Sequence, residues 1–257
     1  VLAIVGAGYW GPNLIRNFSS LENCHVKYAC DLDARRLAKI KRAYPAITAT
    51  TSVADIFNDN EVSAVAIATP VATHFTLARQ ALEHNKHVLI EKPIAASASE
   101  CEELIKLARS RNLVLAVDHT FIYHNPIKKI KEIINSGELG DLYYFDSQRI
   151  NLGLIRPDIN VIWDLAPHDV SILQFLFPGR PESITATGTQ HVASQLCELA
   201  HLVIKYKTGF AAHIHVSWLS PVKLRQMFIG GSKKMVLFDD ISPTEKVKVY
   251  DRGVSID

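Results

Sequence analysis

Asp164 and His168 are the two residues whose types and spacing most directly suggest catalysis. A separation of four residues places two side chains on one face of a helix, where a carboxylate can orient an imidazole ring and strengthen it as a base. Histidine titrates near neutral pH, so the pair could remove a proton from a hydroxyl group. Alternatively, Asp164 could cap a helix that begins at Leu165, and His168 could be a buried histidine with its hydrogen bonds satisfied. The cap is the weaker interpretation, because Pro167 would then occupy the N3 position and has no N–H to donate.

Lys92 belongs to a second group of charged residues, the segment Glu91-Lys92-Pro93. This segment directly follows the apolar run His87–Ile90, which is typical of a buried parallel strand. Open α/β sheets bind their ligands at the carboxyl ends of the strands, so charged residues there are candidates for chemistry. An ammonium group at this place would favour a transition state with negative charge on oxygen. The alternative is a solvated strand end.

The glycine motif GAGYWG at residues 6–11 predicts a turn that binds a dinucleotide. It directly follows an apolar strand and precedes a helix with Pro12 in its first turn. Gly6 permits the tight turn, Gly8 leaves room for a pyrophosphate, and Gly11 lets helix and strand approach closely. The amino end of the helix supplies N–H donors and a positive dipole to the phosphates. The alternative is a glycine-rich turn without function, which would not require this context.

Asp31 ends the second predicted strand, where an acidic residue meets the ribose hydroxyls of a bound dinucleotide. A carboxylate there accepts a hydrogen bond from the 2′-hydroxyl and repels a 2′-phosphate, which favours NAD over NADP. Arg35 and Arg36 are close enough in the sequence to leave NADP open. Asp33 is predicted to cap the following helix.

Residues up to Asp118 alternate between short apolar runs and longer amphipathic stretches, the pattern of repeated βα units and a parallel sheet. Strands are predicted at Leu2–Val5, Val26–Ala29, Ala64–Ala68, His87–Ile90 and Val114–Val117. Helices are predicted at Pro12–Ser20, Ala34–Ala43, Thr73–Glu83 and Ser99–Ser110. Ser99 and Glu102 are predicted to form a capping box for the last helix.

The pattern changes after Asp118 to two helices and a series of extended segments. The helices are predicted at Pro126–Asn135 and Val161–Phe177, and the strands at Leu142–Arg149, Ile184–Thr189, Leu196–Lys205, Phe210–Trp218, Leu224–Ile229, Lys234–Phe238 and Lys246–Tyr250. Short turns between several strands favour antiparallel pairing, so an α+β domain with a large, mostly antiparallel sheet is predicted. We interpret the aromatic residues Phe121, Tyr123, Tyr143 and Tyr144 as core residues.

The composition excludes several classes of protein. The 257 residues carry 28 basic and 26 acidic side chains, and a net charge of +2 shows no bias toward nucleic acids or membrane surfaces. The four cysteines lack the spacing of a disulfide framework or a thiolate zinc site. His213 and His215 share one face of a predicted strand, but no nearby acid or cysteine completes a metal site, so no metal is predicted. We find no basic leader and no run long enough to span a bilayer, and we expect a soluble, cytoplasmic protein.

Four segments together resemble the Gfo/Idh/MocA oxidoreductases, a family named for glucose-fructose oxidoreductase and inositol dehydrogenase. They are GAGYWG at 6–11, ATPVATH at 68–74, HVLIEKP at 87–93 and WDLAPHDVS at 163–171, and the resemblance covers essentially the whole chain. It implies an amino-terminal Rossmann domain (residues 1–118) and a carboxyl-terminal α+β domain (residues 119–257) whose open sheet often forms the interface of a homo-oligomer. Family members usually continue past the point that corresponds to Asp257, so we expect the second domain to be truncated at its carboxyl end.

The resemblance also implies roles for individual residues. Lys92 would reach the nicotinamide ribose and the reacting oxygen, and Glu91 would support that ribose. Asp164 and His168 would match the catalytic acid and imidazole of the inositol dehydrogenase branch, with His168 also contacting the substrate. The expected cofactor-binding residues are Gly6, Gly8, Tyr9, Trp10, Gly11, Asp31, Thr69, Pro70, His74, Glu91 and Lys92.

The segments SQRINLG at 147–153 and VSWLSPVKLR at 216–225 are similar to the branch that acts on nucleotide-linked sugars, such as UDP-N-acetylglucosamine-type 3-dehydrogenases and 3-ketoreductases. Arg149 and Asn151 would then face the sugar, and the alternative is solvation at a sheet edge. We therefore predict an NAD(H)-dependent oxidoreductase acting on a secondary hydroxyl or ketone of a sugar, in particular a nucleotide sugar. Two alternatives stay open, an NAD-dependent glycosidase that works by transient oxidation and elimination, and a non-catalytic NAD-binding regulatory protein.

Overall fold

The structure, a computed structural model, describes residues 1–153, 155, 159–192 and 196–253. The chain divides into two units, Val1–Asp118 and His119–Asp257. Buried apolar residues form separate clusters within each unit. Within the described ranges, no helix combines the length and the apolar character that crossing a membrane requires.

The first unit is built on a six-stranded parallel sheet. Its strands are β1 (Leu2–Val5), β2 (Val26–Cys30), β3 (Thr48–Thr50), β4 (Ala64–Ile67), β5 (His87–Ile90) and β6 (Leu115–Val117). Their order is β3-β2-β1-β4-β5-β6, and these pairings are parallel, as predicted. The strand order reverses direction between β1 and β4, so the loops that follow these two strands diverge and leave a crevice suited to a ligand.

Four of the five helices of the first unit were predicted, and the short helix Val53–Phe57 was not. The five helices are α1 (Gly11–Ser19), α2 (Ala34–Ala43), α3 (Val53–Phe57), α4 (His74–Glu83) and α5 (Ala98–Ser110), with a 3₁₀ turn at Val71–Thr73. The capping box predicted at Ser99 and Glu102 is wrong. Ser97 caps α5 by accepting from the N–H of Glu100, and the Glu100 carboxylate accepts from the N–H of Ala96 at 3.0 Å. The N-cap therefore lies two residues earlier than predicted, because Ser97 has the extended backbone that this position requires, and the Glu100 carboxylate reaches the residue before the cap.

The second unit combines two helices with a seven-stranded sheet. The helices are α6 (Asn125–Asn135) and α7 (Val161–Leu176), after a 3₁₀ turn at Thr120–Tyr123, and the strands are β7 (Leu142–Leu152), β8 (Ser183–Thr189), β9 (Leu199–Lys205), β10 (Ala211–Ser217), β11 (Leu219–Gly231), β12 (Met235–Asp239) and β13 (Val247–Tyr250). The order is β13-β12-β11-β7-β10-β9-β8, with β7 and β10 parallel and the other pairs antiparallel. The predicted α+β fold with a mostly antiparallel sheet is confirmed.

The core of the second unit lies between the sheet and its two helices. Ile130 of α6 and Ile172 of α7 are fully buried in one cluster with Phe145 of β7. Since side chains alternate along a strand, β7 also directs Ser147 and Arg149 to this covered face. The charged side chain of Arg149 thus lies in the core of the second unit.

The aromatic residues near the start of the second unit divide into two groups. Phe121 packs against the core, as predicted, and Tyr144 is partly buried. Tyr123 and Tyr143 are exposed, so their interpretation as core residues was wrong. Their phenol groups can remain hydrated, which removes the penalty for leaving them outside the core.

Candidate active site

The glycine turn after β1 has the geometry that a bound diphosphate requires. Gly6 has a φ of +100°, and a Cβ there would lie 2.5 Å from the carbonyl oxygen of Ala68. A Cβ on Gly11 would lie 2.0 Å from the carbonyl oxygen of Gly6, so that glycine allows the helix to pack on the turn. A Cβ on Gly8 would instead meet only Arg36 Nη1, at 3.7 Å, among the described residues. Gly6 and Gly11 therefore serve the fold, whereas Gly8 faces open space that a ligand can fill.

The amino end of α1 is positioned to bind an anion. Helix α1 begins at Gly11 directly behind the turn, and Trp10 occupies the N-cap position. An indole has no oxygen that could accept from the first-turn amides, and Pro12 has no amide hydrogen to satisfy. The Trp10 side chain makes no capping hydrogen bond, so the first-turn N–H groups and the helix dipole favour a phosphate at this end.

Asp31 connects the end of β2 to the glycine turn. Its Oδ2 accepts from the N–H of Ala7 at 2.7 Å, and its Oδ1 accepts from the N–H of Asp33 at 2.8 Å. Arg36 Nη1 also donates to Oδ2, at 3.5 Å. Since each carboxylate oxygen has about two acceptor sites, Oδ1 is the atom that can still accept from a ribose hydroxyl. Asp33 in turn caps α2 by accepting from the N–H of Arg35 at 2.9 Å, as predicted.

A cleft of about 310 Å³ opens beside the glycine turn. Its lining residues are Ala7, Gly8, Tyr9, Pro12, Arg36, Lys39 and Ile40. Arg36 Nη1 lies 3.5 Å from Asp31 Oδ2, which partly neutralises the carboxylate. Sequence reasoning had identified Arg36 but missed Lys39, whose place one helical turn later on α2 was the available signal. The residues present thus fit a dinucleotide, with the acid that favours NAD and two cations nearby.

His74 holds two loops of the first unit together. Its Nδ1 lies 2.8 Å from the carbonyl oxygen of Pro93, and its Nε2 lies 2.8 Å from that of Thr69. The side chain is only 1% exposed, and burial lowers the pKa of the ring, an effect that the two carbonyl oxygens oppose. The resemblance implies that His74 lies along a cofactor, but its ring is buried and both ring nitrogens face backbone carbonyl oxygens, one in the loop of Thr69 and one in the loop of Pro93. It is therefore a residue that positions those loops.

The Glu91-Lys92-Pro93 segment begins where β5 ends. The N–H of Glu91 donates to the carbonyl oxygen of Ile67 at 2.9 Å, and the N–H of Asp118 donates to that of Ile90 at 2.9 Å. Glu91 and Asp118 consequently follow neighbouring parallel strands. Burial and the negative charge of Asp118 raise the pKa of Glu91 to about 7, and the charge of Lys92 acts against them. A carboxyl group that titrates near neutral pH thus lies next to the candidate lysine, at the ligand-binding edge of the sheet.

Helix α7 carries both Asp164 and His168, and its amino end rules out the capping alternative for Asp164. The N-cap is Asn160, whose side chain accepts from the N–H of Trp163 at 3.0 Å. The N–H of Asp164 already donates to the carbonyl oxygen of Asn160 at 3.1 Å, so Asp164 lies inside the helix. Both side chains therefore share one helical face, as the four-residue spacing predicted.

Trp218 holds the Asp164 side chain and was missed by sequence reasoning. Its indole Nε1–H donates to Asp164 Oδ2 at 3.1 Å, and the indole is 2% exposed. A Cβ on Gly153 would lie 3.0 Å from Asn151 Nδ2 and 3.3 Å from Trp218 Cδ1, so Asn151 and Trp218 flank the same glycine. The carboxylate, the indole and the Asn151 amide thus belong to one region of the second unit.

Arg149 does not lie at a solvated sheet edge. It is 2% exposed, and its Nε donates to Asp169 Oδ2 at 2.8 Å while its Nη2 donates to Oδ1 at 3.2 Å. The sequence predicts that Arg149 faces a sugar, but in the structure its guanidinium binds the buried carboxylate of Asp169. Of the two residues on β7 that are predicted to bind a substrate, Asn151 keeps that role as a prediction, whereas Arg149 is paired with Asp169.

The histidines on the far face of the sheet do not form a metal site in the described part of the chain, where no group of three potential ligands was found. His213 Nδ1 lies 2.7 Å from Asp146 Oδ1, and the rings of His201 and His215 stack with centroids 4.2 Å apart. Burial and the neighbouring His201 lower the pKa of His215. These contacts are those of paired sheet residues.

Comparisons with known proteins agree with this geometry. Residues 2–119 match a family described as "Oxidoreductase family, NAD-binding Rossmann fold", and residues 127–237 match the GFO/IDH/MocA C-terminal domain. The uncharacterized oxidoreductase YdgJ of Escherichia coli is 29% identical over 221 residues, which is 81% of this chain and 62% of that protein. The chain thus spans less than two thirds of the length of that relative.

A relative named for a nucleotide sugar aligns over almost all of the chain. The UDP-N-acetylglucosamine 3-dehydrogenase of Acidithiobacillus ferrooxidans is 28% identical over 97% of this chain and 76% of that protein. Its solved structure superposes with a TM-score of 0.85 at 27% identity, covering 100% of this chain and 82% of the other. The WlbA dehydrogenase of Bordetella pertussis, solved with NADH and UDP-GlcNAcA, has a TM-score of 0.86 over 94% of this chain and 74% of its own. Its identity of 19% shows the shared fold alone.

Proposed function

The chain belongs to the Gfo/Idh/MocA family of oxidoreductases, whose amino-terminal domain is an NAD-binding Rossmann fold, and from this we propose that it transfers a hydride between NAD(H) and a secondary hydroxyl or ketone of a sugar. The observation that supports it most directly is the acid and imidazole pair on α7. Asp164 is fixed by the Trp218 indole at 3.1 Å and lies one turn before His168 on the same helix. Such a pair can accept a proton at neutral pH.

The proposed roles follow from the charges that the reaction creates. NAD, when bound, supplies the hydride acceptor, and the turn around Gly8, the amino end of α1 and Asp31 would hold it. Oxidation of a carbinol releases the hydroxyl proton, which His168 would take, and the Asp164 carboxylate would stabilise the resulting imidazolium. Lys92 would stabilise the negative charge that develops on the substrate oxygen. In the reductive direction, His168 would return the proton.

A nucleotide sugar is the substrate class that we propose. The Acidithiobacillus ferrooxidans relative is named for UDP-N-acetylglucosamine and aligns with 97% of the chain. Asn151, adjacent to Trp218, could then donate to or accept from a sugar hydroxyl. We also propose a cytoplasmic location, where both nucleotide sugars and NAD are synthesised.

A homo-oligomer is proposed through the sheet face opposite α6 and α7. Phe228 of β11 and the His201–His215 pair lie on that face, so a second copy would remove partly apolar surface from water. Light scattering of the full chain should give a dimer or tetramer, and Phe228→Glu should shift it toward the monomer. A wild-type monomer at micromolar concentration would contradict this part of the proposal.

The proposed reaction can be tested with the full chain, NAD and a panel of UDP-sugars. Net NADH formation is expected with at least one sugar nucleotide. His168→Ala should lose turnover by about 10³-fold or more, as removal of a general base predicts, while calorimetry shows unchanged NAD affinity. His191→Ala, an exposed histidine of the same unit, is the matched control and should retain activity. Glycoside release without net NADH would favour the glycosidase alternative, and full biological activity in His168→Ala would favour the regulatory one.

A further inference from the structure

A buried ion pair holds helix α7 at the residue next to His168 in the sequence. Arg149 of β7 makes a two-pronged contact with the carboxylate of Asp169, the residue that follows His168 on α7. The hydroxyl of Ser147 donates to the same carboxylate at 2.8 Å. These three residues are each no more than 2% exposed.

This arrangement fixes α7 more tightly than apolar packing alone. Three donors from β7 converge on one carboxylate, and a fork of two N–H groups matches a carboxylate in only one orientation. Burying a charge pair costs free energy unless its hydrogen bonds are satisfied, and here the Asp169 oxygens accept bonds from both Arg149 and Ser147. The rotation of α7 about its axis is thus set at the turn that carries His168.

Phe121 links the ion pair to the imidazole ring. The Arg149 guanidinium carbon lies 4.7 Å from the centroid of the Phe121 ring. The Phe121 and His168 rings meet edge to face, with centroids 5.1 Å apart and an interplanar angle of 72°. Phe121 therefore lies between a clamped cation and the imidazole, and each contact has a preferred geometry.

We propose that Arg149, Asp169 and Phe121 are positioning residues that hold the His168 ring in the orientation needed for proton transfer. This inference rests on the proposed role of His168 as the base. The ion pair fixes both the helix and the guanidinium, and the guanidinium fixes the phenyl ring against which the imidazole rests. Ring placement matters because a displacement of about 1 Å can cost about 10²-fold in rate.

The decisive variants are Phe121→Leu and Phe121→Tyr, measured with the full chain, NAD and the sugar nucleotide that wild type oxidises. Phe121→Leu keeps apolar volume but removes the ring, so kcat should fall about 10- to 100-fold while KM and NAD affinity stay within about twofold. Phe121→Tyr keeps the ring and should restore most of kcat. Arg149→Lys keeps the positive charge but loses the pair of N–H groups that contact Asp169. It should lower kcat by a similar factor, measured at a temperature where the variant is folded.

Phe177→Leu is the matched control for lost aromatic packing. Phe177 lies in the same unit, and its ring partners are Phe145 and Phe210. This variant should leave kcat unchanged even if it lowers the melting temperature. Wild-type kcat in Phe121→Leu, or an equal loss of kcat in Phe177→Leu, would overturn the inference.

A second readout separates this inference from the proposed reaction. NMR relaxation of isotopically labelled histidine rings, with His168 assigned through His168→Gln, requires no substrate. The His168 ring should be rigid in wild type and in Phe121→Tyr but mobile in Phe121→Leu. If wild type oxidises no sugar, the proposed function fails while this measurement still decides the positioning role. An equally rigid His168 ring in Phe121→Leu would overturn it.

Discussion

The Trp218 indole donates to Asp164 Oδ2 at 3.1 Å, so a residue from the β10–β11 junction fixes the acid one helical turn before His168. A hydrogen bond to a charged group contributes about 1.5–3 kcal/mol. If the bond is needed in the transition state, its loss lowers the rate by about 10- to 100-fold. We expect Trp218→Phe, which keeps a smaller aromatic ring and loses the Nε1–H donor, to lower kcat by that range.

Trp163→Phe is the control for Trp218→Phe. Trp163 lies on the same helix, is 36% exposed, and should tolerate the loss of its indole with little change in kcat. NAD affinity, measured by calorimetry, should be unchanged in both variants. Equal kcat values for Trp218→Phe and wild type would show that the hydrogen bond from the indole to Asp164 does not contribute to catalysis.

Two alanine substitutions in the glycine turn should separate folding from cofactor binding. Gly6→Ala introduces a Cβ at a φ of +100° and 2.5 Å from a carbonyl oxygen, so it should destabilise the protein by about 1–3 kcal/mol. Gly8→Ala has room for its Cβ in the free protein but blocks a diphosphate. We expect it to keep the wild-type melting temperature and to weaken NAD binding at least about tenfold, or about 1.4 kcal/mol. Calorimetry and thermal unfolding measure the two effects, and wild-type NAD affinity in Gly8→Ala would place the cofactor elsewhere.

Cofactor preference should depend on the balance between Asp31 and the cations of α2. Asp31→Ser removes the carboxylate that repels a 2′-phosphate, while Arg36 and Lys39 remain in the cleft. The ratio of NADP to NAD affinity should rise by at least about tenfold, equivalent to about 1.4 kcal/mol. Adding Arg36→Gln should abolish that gain. An unchanged ratio of NADP to NAD affinity in Asp31→Ser would mean that the Asp31 carboxylate does not contact the ribose hydroxyls.

Local patterns in the sequence predicted most of the elements, since apolar periodicity and glycine spacing depend on neighbouring residues. The three-residue β3 and the five-residue α3 were missed because both are too short to show a period. Contacts across long separations could not be predicted in this way. Trp218 and Asp164 are separated by 54 residues in the sequence, and no local pattern around either residue predicts their hydrogen bond.

Arg149 shows a second limit of sequence reasoning. An arginine in a strand indicates solvent or a ligand, because an isolated buried charge is strongly unfavourable. Its burial becomes favourable only through Asp169 on another element, at a sequence separation of 20. His74 is similar, since its position in the ATPVATH motif indicated a ligand contact while its two backbone partners lie in different loops.

Glu91 should make the stability of the protein depend on pH near neutrality. Burial and the charge of Asp118 raise its pKa from 4.5 to about 7, so the folded protein binds this proton more tightly than the unfolded chain does. The stabilisation is therefore complete below about pH 4.5 and is lost as the pH rises through about 7. Glu91→Gln cannot ionise and should lose this component of the pH dependence. Asp118→Asn removes the repelling charge and should weaken it.

Thermal unfolding of the full chain between about pH 5 and pH 8 measures this effect, because that window contains the raised pKa of Glu91. The difference in melting temperature between Glu91→Gln and wild type should increase in favour of the variant as the pH rises. Glu22→Gln, which replaces an exposed carboxylate of the same unit, should follow the wild-type curve. Parallel curves for Glu91→Gln and wild type would show that the pKa of Glu91 is not raised toward neutral pH in the folded protein.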